Sequence, residues 1–390
     1  MKGKIIKSLF VLVAMILSLS VVGCGGTLPP ENNDDYTFPI ILSEDGEKKN
    51  VILFIGDGMG PKHEGLGEVY QDAKLRMQEF PYVVTVDTSP YNRSEITDSA
   101  AAGTAMATGK LTLDSVVGMD HEYNELETIM DIALSKGKRT GIISTESLVG
   151  ATPSAFYGHA EARGNYNKIV STGVQSGINF LAGYPFDTNY DTYVSQFEGA
   201  GYTVKTDLNK DGWQDDDKVL FQLLIKAEQS KDNRYVMFEE VVENALDYLS
   251  QDPDGFVLMA EGAHIDKQSH ANQLEPMLKE LLAFDLGIET ALKWASKRND
   301  TVIIVTADHE TGGLNYNRTI NKDNMFDMGS NDGFNYFPKY YTWTSSSHTS
   351  SVVNCHINGL KINFSQFAEF KSNTKIKNTD IFKIIEGVIS

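Results

Sequence analysis

The chain has 390 residues, 41% of them hydrophobic, with 53 acidic side chains against 34 Lys and Arg and a formal net charge of −19. That length allows two or three domains, or one large α/β domain with an extensive core. So acidic a chain argues against binding nucleic acid or an anionic bilayer surface, and an anionic substrate would have to be drawn in by bound cations.

In chain order, the first segment reads as a processing signal. "MKGKIIK" is basic, "SLFVLVAMILSLSVV" is apolar but short for a membrane span, and "VVGC" ends at Cys24. A small residue before a cysteine here resembles a bacterial lipobox, which predicts cleavage of residues 1–23 and a lipid on Cys24. The alternative is an ordinary signal peptide cut nearby. Cleavage removes Lys2, Lys4 and Lys7 and no acids, taking the charge from −19 to −22. With Cys24 lipidated, Cys355 has no partner for an intrachain disulfide and reads as a buried structural thiol. Residues 24–48 are polar and rich in turn formers, a tether ahead of a domain spanning 49–390.

"VILFIG" (51–56) is apolar on both faces and runs into "GDGMG", where glycines around Asp57 let the backbone approach a ligand. "EITDSAAAGTAMATGK" opens with Ser99 and is crowded with small residues. Ser99 is either a helix cap or a nucleophile held at the positive end of a helix. "NELETIMDIALSKG" has helical period, and "TGIIST" (140–145) is a second buried strand. Thr152 follows it in "ATPSAFYGHAEAR", where Arg163 is a surface arginine or a planar clamp for two phosphoryl oxygens. In "DLNKDGWQDDDK", Asp207, Asn209, Asp211, Gly212 and Asp215 have the spacing of a Ca2+ loop. Its twelfth position is Lys218 rather than Glu, which favours an acidic surface turn.

"GFVLMAEG" (255–262) is a third buried strand and ends with Glu261. In "AEGAHIDKQSHAN", Asp266 and His270 lie four apart, one turn apart on one face if helical. Alone, that pair is more often a solvated helix face than a metal site. "LEPMLKELLAFDLGIETALKWASK" is helical, and "TVIIVTAD" (301–308) is a fourth strand that delivers Asp308 and His309. "SSSHTSS" adds His348 in a Ser-rich loop. Buried strands separated by helices predict an α/β fold with a central, mostly parallel β-sheet flanked by helices on both faces. In such sheets ligands sit beyond the carboxyl ends of the strands, where Asp57, Thr152, Glu261, Asp308 and His309 fall.

"ILFIGDGMG", "TDSAAAGTAMATG", "ATPSAFYGHAEAR", "EGAHIDKQSHAN", "TADHETGG" and "HTS", in this order, resemble motifs of the alkaline phosphatase family. The resemblance runs from about Asn50 to about Gly387 and implies that family's fold, with a small crown-type insertion. It makes Ser99 the nucleophile of a phosphate monoester hydrolase, forming a phosphoserine, and Arg163 the phosphate clamp. It assigns one Zn2+ to Asp266, His270 and His348, a second to Asp57, Asp308 and His309, and one Mg2+ to Asp57, Thr152 and Glu261. Lys267 falls where some members have a lysine that contacts phosphate through water, and His159 is read as structural.

Two departures stand out. Members usually carry an Asp or His two residues before Thr152, where this chain has Gly150. Residues 165–235 match poorly and, with 310–345, are expected as variable inserts. Two other functions stay open: a phosphodiesterase or sulfatase of the same superfamily, and a non-catalytic lipoprotein that binds metal or phosphate. No "C-x-P-S-R" context of the sulfatase kind occurs. The expected partners are small phosphate monoesters, the membrane through the lipid anchor alone, on the outer side of a bacterial membrane, and a second copy in a homodimer by analogy with relatives.

Overall fold

The computed structural model describes residues 49–92, 96–186, 188–209, 217–226, 235–330, 336–359 and 375–390, all within one unit, Thr37–Ser390. The lipobox, Cys24 and the tether lie outside the described residues, as do Asp211, Gly212 and Asp215 of the acidic loop.

The strand with the least polar sequence takes the middle of the sheet. Every residue of Asn50–Gly56 is buried, as is every residue of its neighbours Phe256–Gly262 and Thr301–Thr306. It runs parallel to both, with Val51 opposite Val257 on one side and Val302 on the other. Among the described residues the sheet has ten strands. Their order is Lys375–Lys377, Tyr82–Asp87, Val353–Asn358, Thr301–Thr306, Asn50–Gly56, Phe256–Gly262, Arg139–Ser147, Phe180–Tyr184, Val219–Gln222 and Thr203–Lys205. Val353–Asn358 alone in this sheet runs antiparallel to its neighbours.

A strand buried on both faces needs cover on both. The Leu274–Ala295 helix packs on the central strands and against Pro61–Gln71, Phe238–Leu249 and His264–His270. The C-terminal Asn378–Ile389 helix also reaches Asn50–Gly56 and packs with Ser99–Thr108 and Ile129–Ser135. These two helix groups form the two outer layers. The fold is the expected α/β sheet sandwiched between helices. No helix among the described residues is long and apolar enough to cross a membrane.

The expected strand 301–308 stops at Thr306, which frees 307–309 to turn. Residues 165–235, expected as an insert, supply three edge strands of the main sheet. Residues 310–349 leave the sheet as nested antiparallel ladders. Glu310–Thr311 pairs with His348–Thr349, Leu314–Tyr316 with Tyr341–Trp343, and Met328–Ser330 with Tyr336–Pro338. Cys355 is free and buried, and burial pushes its thiol up to about 12.

Candidate active site

Parallel strands put their carboxyl ends on one edge, and the antiparallel Val353–Asn358 puts its start there too. This brings His348 to the same edge as Asp57, Glu261, Asp308 and His309. The foot of the hairpin excursion completes the approach. Thr311 lies opposite His348 in the ladder, and the His309 and His348 rings stack with centroids 3.6 Å apart. Gly58 has φ of +70°, and a Cβ there would meet Asp266 Oδ1 and Thr311 Oγ1 at 2.8 Å. Only glycine lets the Asp57 turn come this close.

Ser99 is the first residue of a helix, but it does not cap it. Asp98 does: its Oδ1 accepts from Ala101 N at 3.0 Å and from Ser115 N at 3.0 Å. The other oxygen, Oδ2, receives Arg163 Nη1 at 3.0 Å, orienting that half-buried guanidinium. Ser99 Oγ is thereby left for His309 Nε2, at 3.2 Å. Every residue of Ser99–Thr108 is buried, and a Cβ on Gly103 would stand 3.2 Å from Ala155 Cβ. The small side chains bring this helix against the Ala151–Ser154 turn that carries Thr152.

Asp266 and His270 do leave one face of a helix, His264–His270, and His348 joins them. His270 Nδ1 donates to Ser346 O at 2.7 Å, and His348 Nδ1 donates to Thr97 O at 2.9 Å. Carbonyl oxygens only accept, so each neutral ring bears its hydrogen on Nδ1 and a bare lone pair on Nε2. Those two Nε2 atoms face each other at 3.2 Å. Two lone pairs so close repel unless a proton or a metal ion lies between them. Two nitrogens bound tetrahedrally to one Zn2+ at about 2.0–2.1 Å stand about 3.3 Å apart. Asp266 Oδ2 is 3.3 Å from His270 Nε2.

A second cluster surrounds His309 Nε2, with Asp308 Oδ2 at 3.2 Å and Asp57 Oδ1 at 3.6 Å. Asp308 Oδ1 is already engaged by Gly58 N and His309 N, at 3.0 and 2.9 Å. Asp57 Oδ1 and Asp308 Oδ2 are buried without a partner. Asp57, Asp266 and His309 also fall within one ligand radius, so Asp266 stands between the two clusters.

The oxygen-rich side holds Thr152 Oγ1 and Glu261 Oε1, both buried and unpartnered. Glu261 Oε2 accepts from Ser144 Oγ, which in turn accepts Glu146 N at 3.0 Å. Lys267 Nζ is paired with Glu146 Oε2. Burial first, then Glu146, pushes the Glu261 carboxyl up to about 8. Burial and then Asp308 hold Asp57 well above the carboxylate range, while burial and then His348 push His309 down to about 3. Packed acids that resist ionising, beside unpartnered oxygens and facing lone pairs, are a donor set that divalent cations fit.

Three contributors escaped the sequence reading. Asp98 had a readable signal, an Asp immediately before a helix and three residues before Ala101. Thr311 and Glu146 had none, since their roles come from neighbours distant in the chain. His159, expected as structural, bonds Gly118 O at 2.7 Å through Nδ1.

The alkaline phosphatase family model matches residues 48–236 and 203–377. Alkaline phosphatase 3 of Bacillus subtilis (strain 168) is 32% identical over 289 residues, covering 68% of this chain and 62% of that protein. The chain thus spans less than two thirds of that relative's length. The alkaline phosphatase of Escherichia coli (strain K12) is 27% identical over 334 residues, covering 68% of this chain and 70% of its own. Among solved structures, the alkaline phosphatase from the Antarctic bacterium TAB5 superposes with a TM-score of 0.75 at 27% identity, over 88% of this chain and 98% of its own. A variant of it with Mg bound in its M3 site gives 0.76 at 26% identity, with the same coverage.

Proposed function

The chain belongs to the alkaline phosphatase family, and from that premise we propose that it hydrolyses phosphate monoesters to alcohol and inorganic phosphate through a phosphoserine on Ser99. The observation that carries this reading is the freed Ser99 hydroxyl, 3.2 Å from His309 Nε2 beside two orphaned carboxylate oxygens. Asp266, His270 and His348 would hold one Zn2+, and Asp57, Asp308 and His309 a second, the mixed nitrogen and oxygen donors suiting a borderline ion. Asp57, Thr152 and Glu261 offer only oxygen, which suits Mg2+. Divalent cations bound here supply positive charge to the oxygens entering and leaving phosphorus and bring water's pKa to about 7.

The chain's own groups do the rest. Ser99 Oγ attacks phosphorus in line, forming the Oγ–phosphorus bond as the ester oxygen–phosphorus bond breaks, and the proton that Ser99 gives up ends on the departing alcohol. Water then cleaves the phosphoserine. Arg163, held by Asp98, presents the rest of its planar fork to the non-bridging oxygens, and the first amides of the Ser99–Thr108 helix favour the same charge. A bare Ser–His pair is the weaker reading, because it leaves Asp57 Oδ1 and Asp308 Oδ2 with nothing to bind.

Rates on a nitrophenyl monoester, diester and sulfate test the substrate class: the monoester is expected to be fastest, and a faster diester or sulfate overturns it. Ser99→Ala is expected to lower monoester turnover by at least about a thousandfold and to abolish trapping of labelled phosphate. Label persisting on another residue refutes the nucleophile. The proposal includes residues 49–390 as the catalytic domain, Lys267 near the substrate phosphate, self-association as a homodimer, and a lipid on Cys24 that holds the domain outside a bacterial membrane. The order basic, apolar, "VVGC" in residues 1–24 supports the anchor.

A further inference from the structure

Gly150 leaves no gap in the site. A Cβ built there would lie 2.2 Å from Glu146 Oε1, 2.7 Å from Glu146 Cδ and 2.9 Å from the backbone oxygen of Ser147. The carboxylate of Glu146 therefore lies in the volume beside Gly150, and the Ser147 carbonyl closes the backbone side of the same space. Gly150 precedes the Ala151–Ser154 turn, so this volume adjoins Thr152.

Glu146 is tied into the site from three sides. Its Oε2 pairs with Lys267, which extends from the helix bearing Asp266 and His270. Its backbone N donates to Ser144 Oγ at 3.0 Å, and that hydroxyl donates to Glu261 Oε2. Its Oε1 faces Gly150. Around it, Thr152 Oγ1, Glu261 Oε1 and Asp57 Oδ1 are buried without a partner. Among the described residues Lys267 and, farther off, Arg163 are the cations that Asp57 and Glu146 share, and only Lys267 is paired with Glu146, which leaves negative charge beside oxygens that lack a donor.

We propose that Glu146 is the positioning residue of the hard-cation site: reaching across Gly150, its carboxylate fixes Lys267 and adds the charge that lets Asp57, Thr152 and Glu261 retain Mg2+. The inference rests on the phosphatase reading of those three residues. It deepens that reading by assigning to a residue four positions away the support that a side chain at 150 would otherwise give.

Mg2+ is titrated calorimetrically into the zinc-loaded full chain, with magnesium per chain measured by elemental analysis. Glu146→Gln keeps the shape and an acceptor for Lys267 but removes the charge. It is expected to weaken Mg2+ binding roughly 10- to 100-fold with zinc content unchanged, and with the melting midpoint unchanged in the zinc-loaded chain before Mg2+ is added. Glu146→Ala is expected to weaken it as well, because it removes both the charge and the partner of Lys267. Wild-type Mg2+ affinity in Glu146→Gln or in Glu146→Ala overturns the proposal. Monoester turnover by the wild-type chain is read separately. Its absence would sink the phosphatase reading, whereas unaltered magnesium binding in an active enzyme sinks only the role of Glu146.

Discussion

Thr311 Oγ1 lies 2.5 Å from Asp266 Oδ1 and 3.2 Å from His309 Nδ1. A carboxylate only accepts, so the hydroxyl donates to Asp266 and must accept the hydrogen of His309 Nδ1. One side chain thus orients an oxygen of the first cluster and fixes the tautomer that points His309 Nε2 at Ser99. Thr311→Val keeps the shape and removes both bonds. It is expected to lower zinc affinity roughly 10- to 100-fold, read by competition with a chromophoric chelator. Residues such as Asp57, Glu261, Asp308 and His309 were legible because they end apolar strands, where polar side chains have little reason to be unless they serve a ligand. Thr311 and Glu146 were not, since an ordinary Thr or Glu acquires meaning only from what the fold places against it.

Elements were legible where both faces are apolar and obscure where polar residues are buried in pairs. The four buried strands were visible within a few residues of their ends. "VNCHIN", the antiparallel strand that accounts for His348, does not read as a core strand, because His356 and Asn358 interrupt it. His356 is nevertheless buried, with Nε2 3.1 Å from Glu64 of the Pro61–Gln71 helix. The short turn Arg76–Glu79 is held in a comparable way by Asp285 of the long helix, whose oxygens accept Arg76 N at 2.8 and 2.9 Å. Burial pushes the Asp285 carboxyl up to about 7, against an ordinary 3.8. A folded pKa above the unfolded one means stability that is full below about 3.8 and lost as pH rises to about 7, at no more than about 1.4 kcal/mol per pH unit. Asp285→Asn keeps an acceptor for Arg76 N and removes the titration. Urea midpoints from pH 4 to 8 should show the variant gaining on wild type as pH rises, and parallel curves would refute the shift.

At the scale of the molecule, the cations couple the site to the stability of the whole sheet. Cations held as proposed, by ligands drawn from residues 57 to 348, would tie several strand ends together and stabilise the fold by mass action. Stripped of cations, the chain must bury the Glu261 carboxyl, whose raised pKa of about 8 contributes stability at low pH that is lost as pH rises through that value. Cation-loaded protein has its charges countered. Chelation is therefore expected to lower the melting midpoint at every pH, with a gap that widens from pH 5 to pH 9. A gap that is constant or narrows would contradict the role assigned to these acids.

The central position of Asn50–Gly56 bears on how the chain is made. Val51 must wait for Val257 and then for Val302 before either side is paired. For most of its synthesis the growing polypeptide displays its greasiest ribbon with two open edges, and pairings so distant in the chain close slowly. This strand order leaves that ribbon exposed to wrong partners until the last third of translation.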